Sequence, residues 1–296
     1  MLLARAVQGI AAAAPRIVII AMVRDEYAGR SMAQVMSVVG AVFITVPIFA
    51  PMVGQGFLFL GDWRATFVGL CVLAAATALW FAWRLPETLS VEARTPFRAA
   101  TLWAGLREVL RSRVAVGYTL AQGFVFGLLI AYLGTAQQTF EAVYGVTELF
   151  AVYFGLSAAS VAVSSLLNGA LVMRLGMRRL SVIAGAGLTI TSASFAALLL
   201  FEPAQPLWLF VAWNLTWSFF VGILFINLNA LAMEPMGHIA GLAAAFIGAL
   251  STFMSLPLAS LVAEQFDGTL RPLAIGFTLL ASCGWALIVW TDRNAR

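Results

Sequence analysis

The sequence predicts an all-α membrane protein that crosses the bilayer about nine times. Of its 296 residues, 62% are hydrophobic and only 10% are charged, whereas soluble domains carry about 25% charged residues. The apolar residues form runs of the length that a spanning helix needs, roughly 20 residues. Backbone groups inside hydrocarbon must pair with each other, and the runs lack the alternation typical of a membrane barrel. The runs are therefore predicted to be helices.

Nine apolar segments can be drawn, with turn residues such as Gly61-Asp62 and Asp267-Gly268 between them. They cover residues 1–23, 34–60, 65–84, 114–136, 149–173, 180–201, 206–232, 239–263 and 272–291. A stretch of dense charge lies between the third and fourth segments. We therefore predict part of one helical half at 1–84, a central cytoplasmic loop at 85–113, and a six-helix half at 114–296.

The basic residues predict the orientation. All 17 are arginine; loops on one side of the predicted bilayer hold 13 of them, and loops on the other side hold two. The positive-inside rule places the arginine-rich face, with the C-terminus, in the cytoplasm of a multi-pass membrane protein. An odd number of spans then begins outside, in a segment that carries Arg5 and Arg16. An arginine near mid-membrane costs about 2.5–3.5 kcal/mol, so we expect helices that precede this sequence.

The composition also excludes several functional classes. The arginines lie in short turns rather than on one basic face, so nucleic acid is not an expected partner. Cys71 and Cys283 lie inside apolar segments and have neither disulfide nor metal-site spacing. The sequence shows no nucleophile with its base, no phosphate loop and no metal constellation. We therefore expect no enzyme activity, no metal and no cofactor.

Short motifs identify a related family. The run Arg5-Ala-Val-Gln8-Gly9 precedes alanines, Ala50-Pro51-Met52-Val53-Gly54 follows Pro47, and residues 169–179 form an arginine-rich turn. In order, these motifs resemble the fourth-helix signature, the fifth-helix antiporter motif and the loop between helices eight and nine of the major facilitator superfamily. Within it, they resemble the drug:proton antiporters of the Bcr/CflA type.

The resemblance implies an incomplete major facilitator fold. That fold has twelve helices in two halves of six, and the nine segments match helices four to twelve, so the first three would be missing. The sequence departs from the family's pattern at three positions. Ala50 replaces the glycine before the motif's proline, Gln55 replaces its second closing glycine, and Met173 stands at the acidic position of the arginine-rich turn.

Arg5 and Gln8 are the candidates for proton coupling. They lie about one helical turn apart and so share a face. A guanidinium does not usefully lose its proton, so the resemblance implies that Arg5 lowers the pKa of a nearby carboxylate or holds an anionic group. That carboxylate is expected in the missing first helix. The alternative is that Arg5 only snorkels to the outer interface.

The antiporter motif consists of Pro47, Ala50, Pro51 and Gly54. Each proline removes a helical hydrogen bond and kinks the axis, and the small residues allow a neighbouring helix to approach closely. An interface that bends between two halves would use both features. The alternative is a kinked packing helix with no further role.

Residues in the predicted cytoplasmic turns are candidates for gating. Three arginines of the 169–179 turn are expected to pair with carboxylates such as Glu234 or with helix ends, and so to close the inward mouth. The alternative is a topology signal that touches solvent or lipid phosphate. The gating candidates are Arg24, Asp25, Arg30, Glu87, Gly169, Arg174, Gly176, Arg178 and Arg179.

The second half supplies a candidate substrate cavity. Its predicted spans contain no acid at mid-membrane but carry polar and aromatic residues, and aromatic walls suit flat, apolar or weakly cationic ligands. The alternative is ordinary packing with interhelical hydrogen bonds. The cavity candidates are Tyr118, Gln122, Asn214, Trp217 and Asn227.

We predict a secondary active transporter that exports small amphipathic drugs across the inner membrane in exchange for protons, by alternating access. Its expected partners are the lipid bilayer, a small-molecule substrate and protons, and we expect a monomer. Two alternatives stay open. One is a transporter of the same fold for a defined metabolite, such as an amino acid or a sugar. The other is a remnant that transports nothing.

Overall fold

The computed structural model describes residues 61–84, 99–147 and 149–294, together with scattered positions between residues 3 and 57. Every regular element of these residues is helical. About half of the segment predicted at 1–23 and most of the segment predicted at 34–60 lie outside the described residues. The chain divides into two compact units, residues 1–97 and residues 98–296.

The elements of the described residues alternate long helices with short turns. In chain order they are α1 (Trp63–Arg84), α2 (Ala99–Arg111), α3 (Arg113–Tyr144), α4 (Phe150–Leu175), α5 (Met177–Phe201), α6 (Leu207–Met233), a 3-10 turn (Glu234–Ile239), α7 (Ala240–Ala263) and α8 (Arg271–Asn294). Seven of these helices are long and apolar enough to cross a membrane, all except α2. They match the seven segments predicted between residues 65 and 291 and confirm the all-α membrane fold.

The stretch predicted as a central loop contains a helix. α2 occupies 13 residues of it and joins α3 through the single residue Ser112, whose Oγ accepts a hydrogen bond from the Ala115 amide (3.2 Å). α3 also continues eight residues beyond its predicted end, to Tyr144, and is closed by Gly145, which has a φ of 64°. Glycine adopts this left-handed conformation without a Cβ penalty. The described part of the central segment therefore contains a helix that packs on the second unit.

The six spanning helices of the second unit form two related sets of three. α3 packs against α6, α7 and α8, α6 packs against α3, α4 and α5, and α5 packs against α8. Exchanging α3 with α6, α4 with α7 and α5 with α8 leaves this pattern unchanged. Two spans, α4 and α5, lie between the first helices of the two sets, so the sets cross the bilayer in opposite directions. This is an inverted repeat, an architecture in which transporters bind substrate between repeats.

A parallel seam joins α4 and α6. Ser160 Oγ donates to the Leu215 carbonyl (2.7 Å). About two turns further along α6, Gly222 lies directly against α4, because a Cβ at this position would overlap Ser164 Oγ and lie 2.9 Å from the Val161 carbonyl oxygen. Small residues let membrane helices approach closely enough for such contacts. The seam fixes the register of α4 and α6, which carry most of the polar side chains discussed below.

Candidate functional site

An aromatic and polar cluster lies inside the second unit, between α3, α4, α6 and α8. We call Tyr132, Ser157, Asn214, Trp217 and Phe277 the interior cluster. Trp217 is fully buried, and its ring centroid lies 5.2 Å from Tyr132 and 5.0 Å from Phe277, edge-on in both cases. Edge-to-face pairs align the positive edge of one ring with the negative face of another. The contacts therefore fix the orientation of the Trp217 indole.

The amide of Asn214 is half satisfied. Its Oδ1 accepts from Ser157 Oγ (3.0 Å) and from Ser218 Oγ (3.3 Å), and Ser157 Oγ lies 3.2 Å from the Tyr132 hydroxyl. Its Nδ2 is buried and has no hydrogen-bond partner among the described residues. The network orients the amide so that its donor group remains available to another acceptor.

Two indole N–H groups on α6 are also buried donors without a hydrogen-bond acceptor among the described residues. Trp213 Nε1 and Trp217 Nε1 are buried and find no acceptor in the described part of the chain. Trp213 stacks on Phe195 with centroids 4.5 Å apart. Together with Asn214 Nδ2, these groups make three unsatisfied donors within about one turn of α6. Leaving a buried donor unpaired costs about 1–3 kcal/mol, so the arrangement favours a bound molecule with hydrogen-bond acceptors.

The other cavity candidates lie at a second level, near the opposite ends of the same helices. Asn227 and Asn168 exchange two amide hydrogen bonds, from Asn168 Nδ2 (3.2 Å) and from Asn227 Nδ2 (2.8 Å). Asn227 is 13 residues beyond Asn214, or about 20 Å along α6. Tyr118 and Gln122 are both buried, and the Tyr118 hydroxyl and Gln122 Oε1 have no partner in the described residues. The candidates thus form two groups rather than one cavity.

Five of the nine gating candidates lie near the junction of α4 and α5. Gly176 alone connects these helices, with φ 76° and ψ 153°, a conformation essentially restricted to glycine. Arg178 Nη2 lies 3.1 Å from Glu234 Oε2, which confirms the predicted pairing for this arginine. Both partners are partly exposed, so the pair contributes little stability. Gly169, Arg174 and Arg179 are exposed.

Asp292 is a residue that the sequence analysis missed. It lies near the end of α8 and is only 8% exposed. The Asp292 carboxylate lies close enough to Arg178 to interact with its positive charge. α3 and α8 meet next to Asp292, because a Cβ at Gly117 would overlap Thr291 Oγ1 and lie 2.8 Å from its Cγ2. The Arg178–Glu234 pair is therefore part of a larger group of charged residues. Asp292, its buried member, lies beside the contact between α3 and α8.

The candidates in the first unit are described only in part. Gln8, Ala50 and Gly54 have helical backbone. Seven further candidates lie outside the described residues, namely Arg5, Arg24, Asp25, Arg30, Pro47, Pro51 and Glu87. Their proposed roles therefore depend on the sequence and the resemblance.

A family profile and several known proteins match this chain, and they point to one family. A family profile described as Major Facilitator Superfamily matches residues 1–257. The uncharacterized MFS-type transporter YdgK of Bacillus subtilis is 29% identical over 88% of this chain and 65% of its own length. The bicyclomycin resistance protein homolog of Haemophilus influenzae is 29% identical over 99% of this chain and 73% of its own length.

Multidrug resistance protein D of Escherichia coli is 27% identical over 89% of this chain and 65% of its own length. The chain thus spans about two thirds of the length of these relatives. Two of the three carry names that refer to drug resistance.

Proposed function

The chain belongs to the major facilitator superfamily, a family of membrane transporters, and we propose that it exports small amphipathic drugs in exchange for protons. It is a multi-pass membrane protein. The proposed location is the bacterial inner membrane with the C-terminus in the cytoplasm, in agreement with the distribution of its arginines. The names of the Haemophilus and Escherichia relatives support the substrate class.

The observation that carries the substrate proposal is the row of unsatisfied donors on α6. Trp213, Asn214 and Trp217 present three N–H groups beside aromatic rings. A flat apolar compound with carbonyl or ether oxygens would satisfy these donors and stack on the rings. The indole faces would also attract a weakly cationic compound. This chemistry suits amphipathic drugs better than a sugar, which carries many hydroxyl groups.

We assign the conformational change of the transporter, and its coupling to protons, to other parts of the chain. Arg5 and Gln8 would act in proton coupling, and the kinked motif from Pro47 to Gly54 would bend as the halves rearrange. The halves would be residues 1–84 and 114–296, with 85–113 between them. The Arg178–Glu234 pair and the other turn residues would close the cytoplasmic mouth and part when it opens.

The direct test is export from proteoliposomes that contain the purified chain. With an imposed pH gradient, we expect flat amphipathic compounds to move against their concentration gradient, and no such movement when a proton ionophore collapses the pH gradient. Protein-free vesicles are the control. Movement of one amino acid or sugar instead would favour a metabolite transporter. No transport of any compound would favour a remnant.

Substitutions on α6 test the binding site separately. Trp217→Ala removes the buried ring and one donor, so the ratio of export rates for a flat aromatic and a non-aromatic compound should change about tenfold, which corresponds to about 1.4 kcal/mol. Asn214→Ala should lower export of compounds rich in acceptor oxygens. Trp208→Ala is the matched control, because Trp208 lies on the same helix but is 70% exposed. Unchanged ratios in both buried variants would contradict the assignment.

A further inference from the structure

α2 is fixed to the second unit by one of its faces. Gly105 and Val109 are buried, and a Cβ at Gly105 would lie 3.3 Å from Leu242 Cδ1 and 3.7 Å from the Phe246 ring. Leu242 and Phe246 belong to the first two turns of α7. The absence of a side chain at Gly105 allows α2 to lie directly against α7. α2 is therefore held at one end of the spanning helices.

The other face of α2 is apolar and cationic at once. Trp103 is 67% exposed and Leu110 is 53% exposed, and both line a shallow groove with Leu106, Arg107 and Arg111. These residues recur at spacings of three and four, so they share one side of the helix. Glu108, the acidic residue of α2, does not line the groove. Exposed apolar residues grouped in this way mark an interaction surface.

The position of α2 identifies what this surface meets. α2 ends at Arg111, and α3, which is long and apolar enough to cross a membrane, begins at Arg113, so α2 lies next to one end of a candidate span. Indole rings and leucines enter the boundary between headgroups and acyl chains. Guanidinium groups bind phosphate oxygens through two parallel hydrogen bonds. The face therefore fits a lipid surface better than it fits water.

We propose that Trp103, Leu106, Arg107, Leu110 and Arg111 bind α2 to anionic phospholipid headgroups. The leaflet is the one next to the predicted cytoplasmic ends of α3 and α7, where negatively charged lipids attract arginines. α2 then anchors the beginning of the second unit to the membrane surface. The proposal requires α2 at a membrane surface and does not depend on which substrate is carried.

The test measures how well the lipid covers α2. In a background with Cys71→Ser and Cys283→Ser, a cysteine at position 104 carries an environment-sensitive fluorophore, since Ala104 is exposed next to Trp103. The protein is placed in nanodiscs of phosphatidylcholine alone or mixed with phosphatidylglycerol. Acrylamide, which is uncharged, quenches the fluorophore from the water. We expect quenching to fall at least about twofold in the anionic discs, because the headgroups attract the arginines.

Paired variants separate binding by α2 from a general effect of charge. Arg107→Gln with Arg111→Gln should abolish the difference between the discs, whereas Arg107→Lys with Arg111→Lys keeps the charge and should retain most of it. Arg174→Gln with Arg179→Gln removes the same charge from another exposed turn and should leave the difference intact. Equal quenching in both discs would overturn the proposal, as would an equal loss in the control pair. Protection that rises with protein concentration in neutral discs would indicate a second copy as the occupant and would also overturn it.

Discussion

Gly222→Ala should destabilise the second unit by about 1–3 kcal/mol, the usual cost of overfilling a packed interior. The added methyl group would overlap Ser164 Oγ, and it would lie 2.9 Å from the Val161 carbonyl oxygen and 3.2 Å from the Val161 Cα. Ser164 can rotate away, but the backbone at Val161 moves only if α4 moves. Alanine favours helix by up to about 1 kcal/mol over glycine, which offsets only part of the strain.

The measurement is thermal unfolding of the purified protein in detergent. The midpoint should fall by an amount on the order of 5 °C. Adding Ser164→Ala to Gly222→Ala removes the displaced hydroxyl and should restore part of the loss, while the Val161 contact keeps the remainder. Gly134→Ala is the matched control, because no described atom lies within 4 Å of a Cβ there. If the Gly222 and Gly134 variants unfold at the same temperature, the close seam between α4 and α6 is wrong.

The spanning helices could be predicted because their signal is local. Hydrocarbon requires about 20 consecutive apolar residues, and the segments from 65 to 291 meet this requirement without reference to any neighbour. α2 was missed for the opposite reason. Its charged residues suggested a loop, and the meaning of the buried residues Gly105 and Val109, four apart, depends on α7, against which Gly105 packs.

The contacts between α4 and α6 depend on how far the two helices are shifted along each other. The local sequence of either helix does not determine this shift. Asn168 and Asn227 are 59 residues apart in the chain, and Ser157 and Asn214 are 57 apart. Both pairs require that α4 and α6 run parallel with one particular offset. The Arg178–Glu234 pair was predictable because both residues lie in turns on the same predicted face. Asp292 resembled an ordinary terminal acid until the packing of Gly117 on Thr291 defined its surroundings.

Arg5→Ala should separate export from the proton gradient in proteoliposomes. In the proposed mechanism the Arg5 guanidinium keeps a nearby carboxylate ionised, so removing it would raise the pKa of that carboxylate, which would stay protonated and no longer cycle. One pKa unit changes the ratio of the ionised to the protonated form about tenfold. Gradient-driven export should therefore fall on the order of tenfold, while substrate binding, measured by fluorescence titration of the same preparation, should be retained.

Two further variants test whether the effect of Arg5→Ala depends on the charge and on the position of Arg5. Arg5→Lys keeps the charge but loses the planar donor fork, so it should retain part of the gradient-driven export. Arg16→Ala removes an arginine from the same predicted span, three turns further along the same helical face, and should export normally. Normal export by Arg5→Ala would mean that Arg5 only snorkels to the interface. A loss of binding together with export would instead make Arg5 part of the substrate site, because a residue that acts only on a distant carboxylate leaves binding intact.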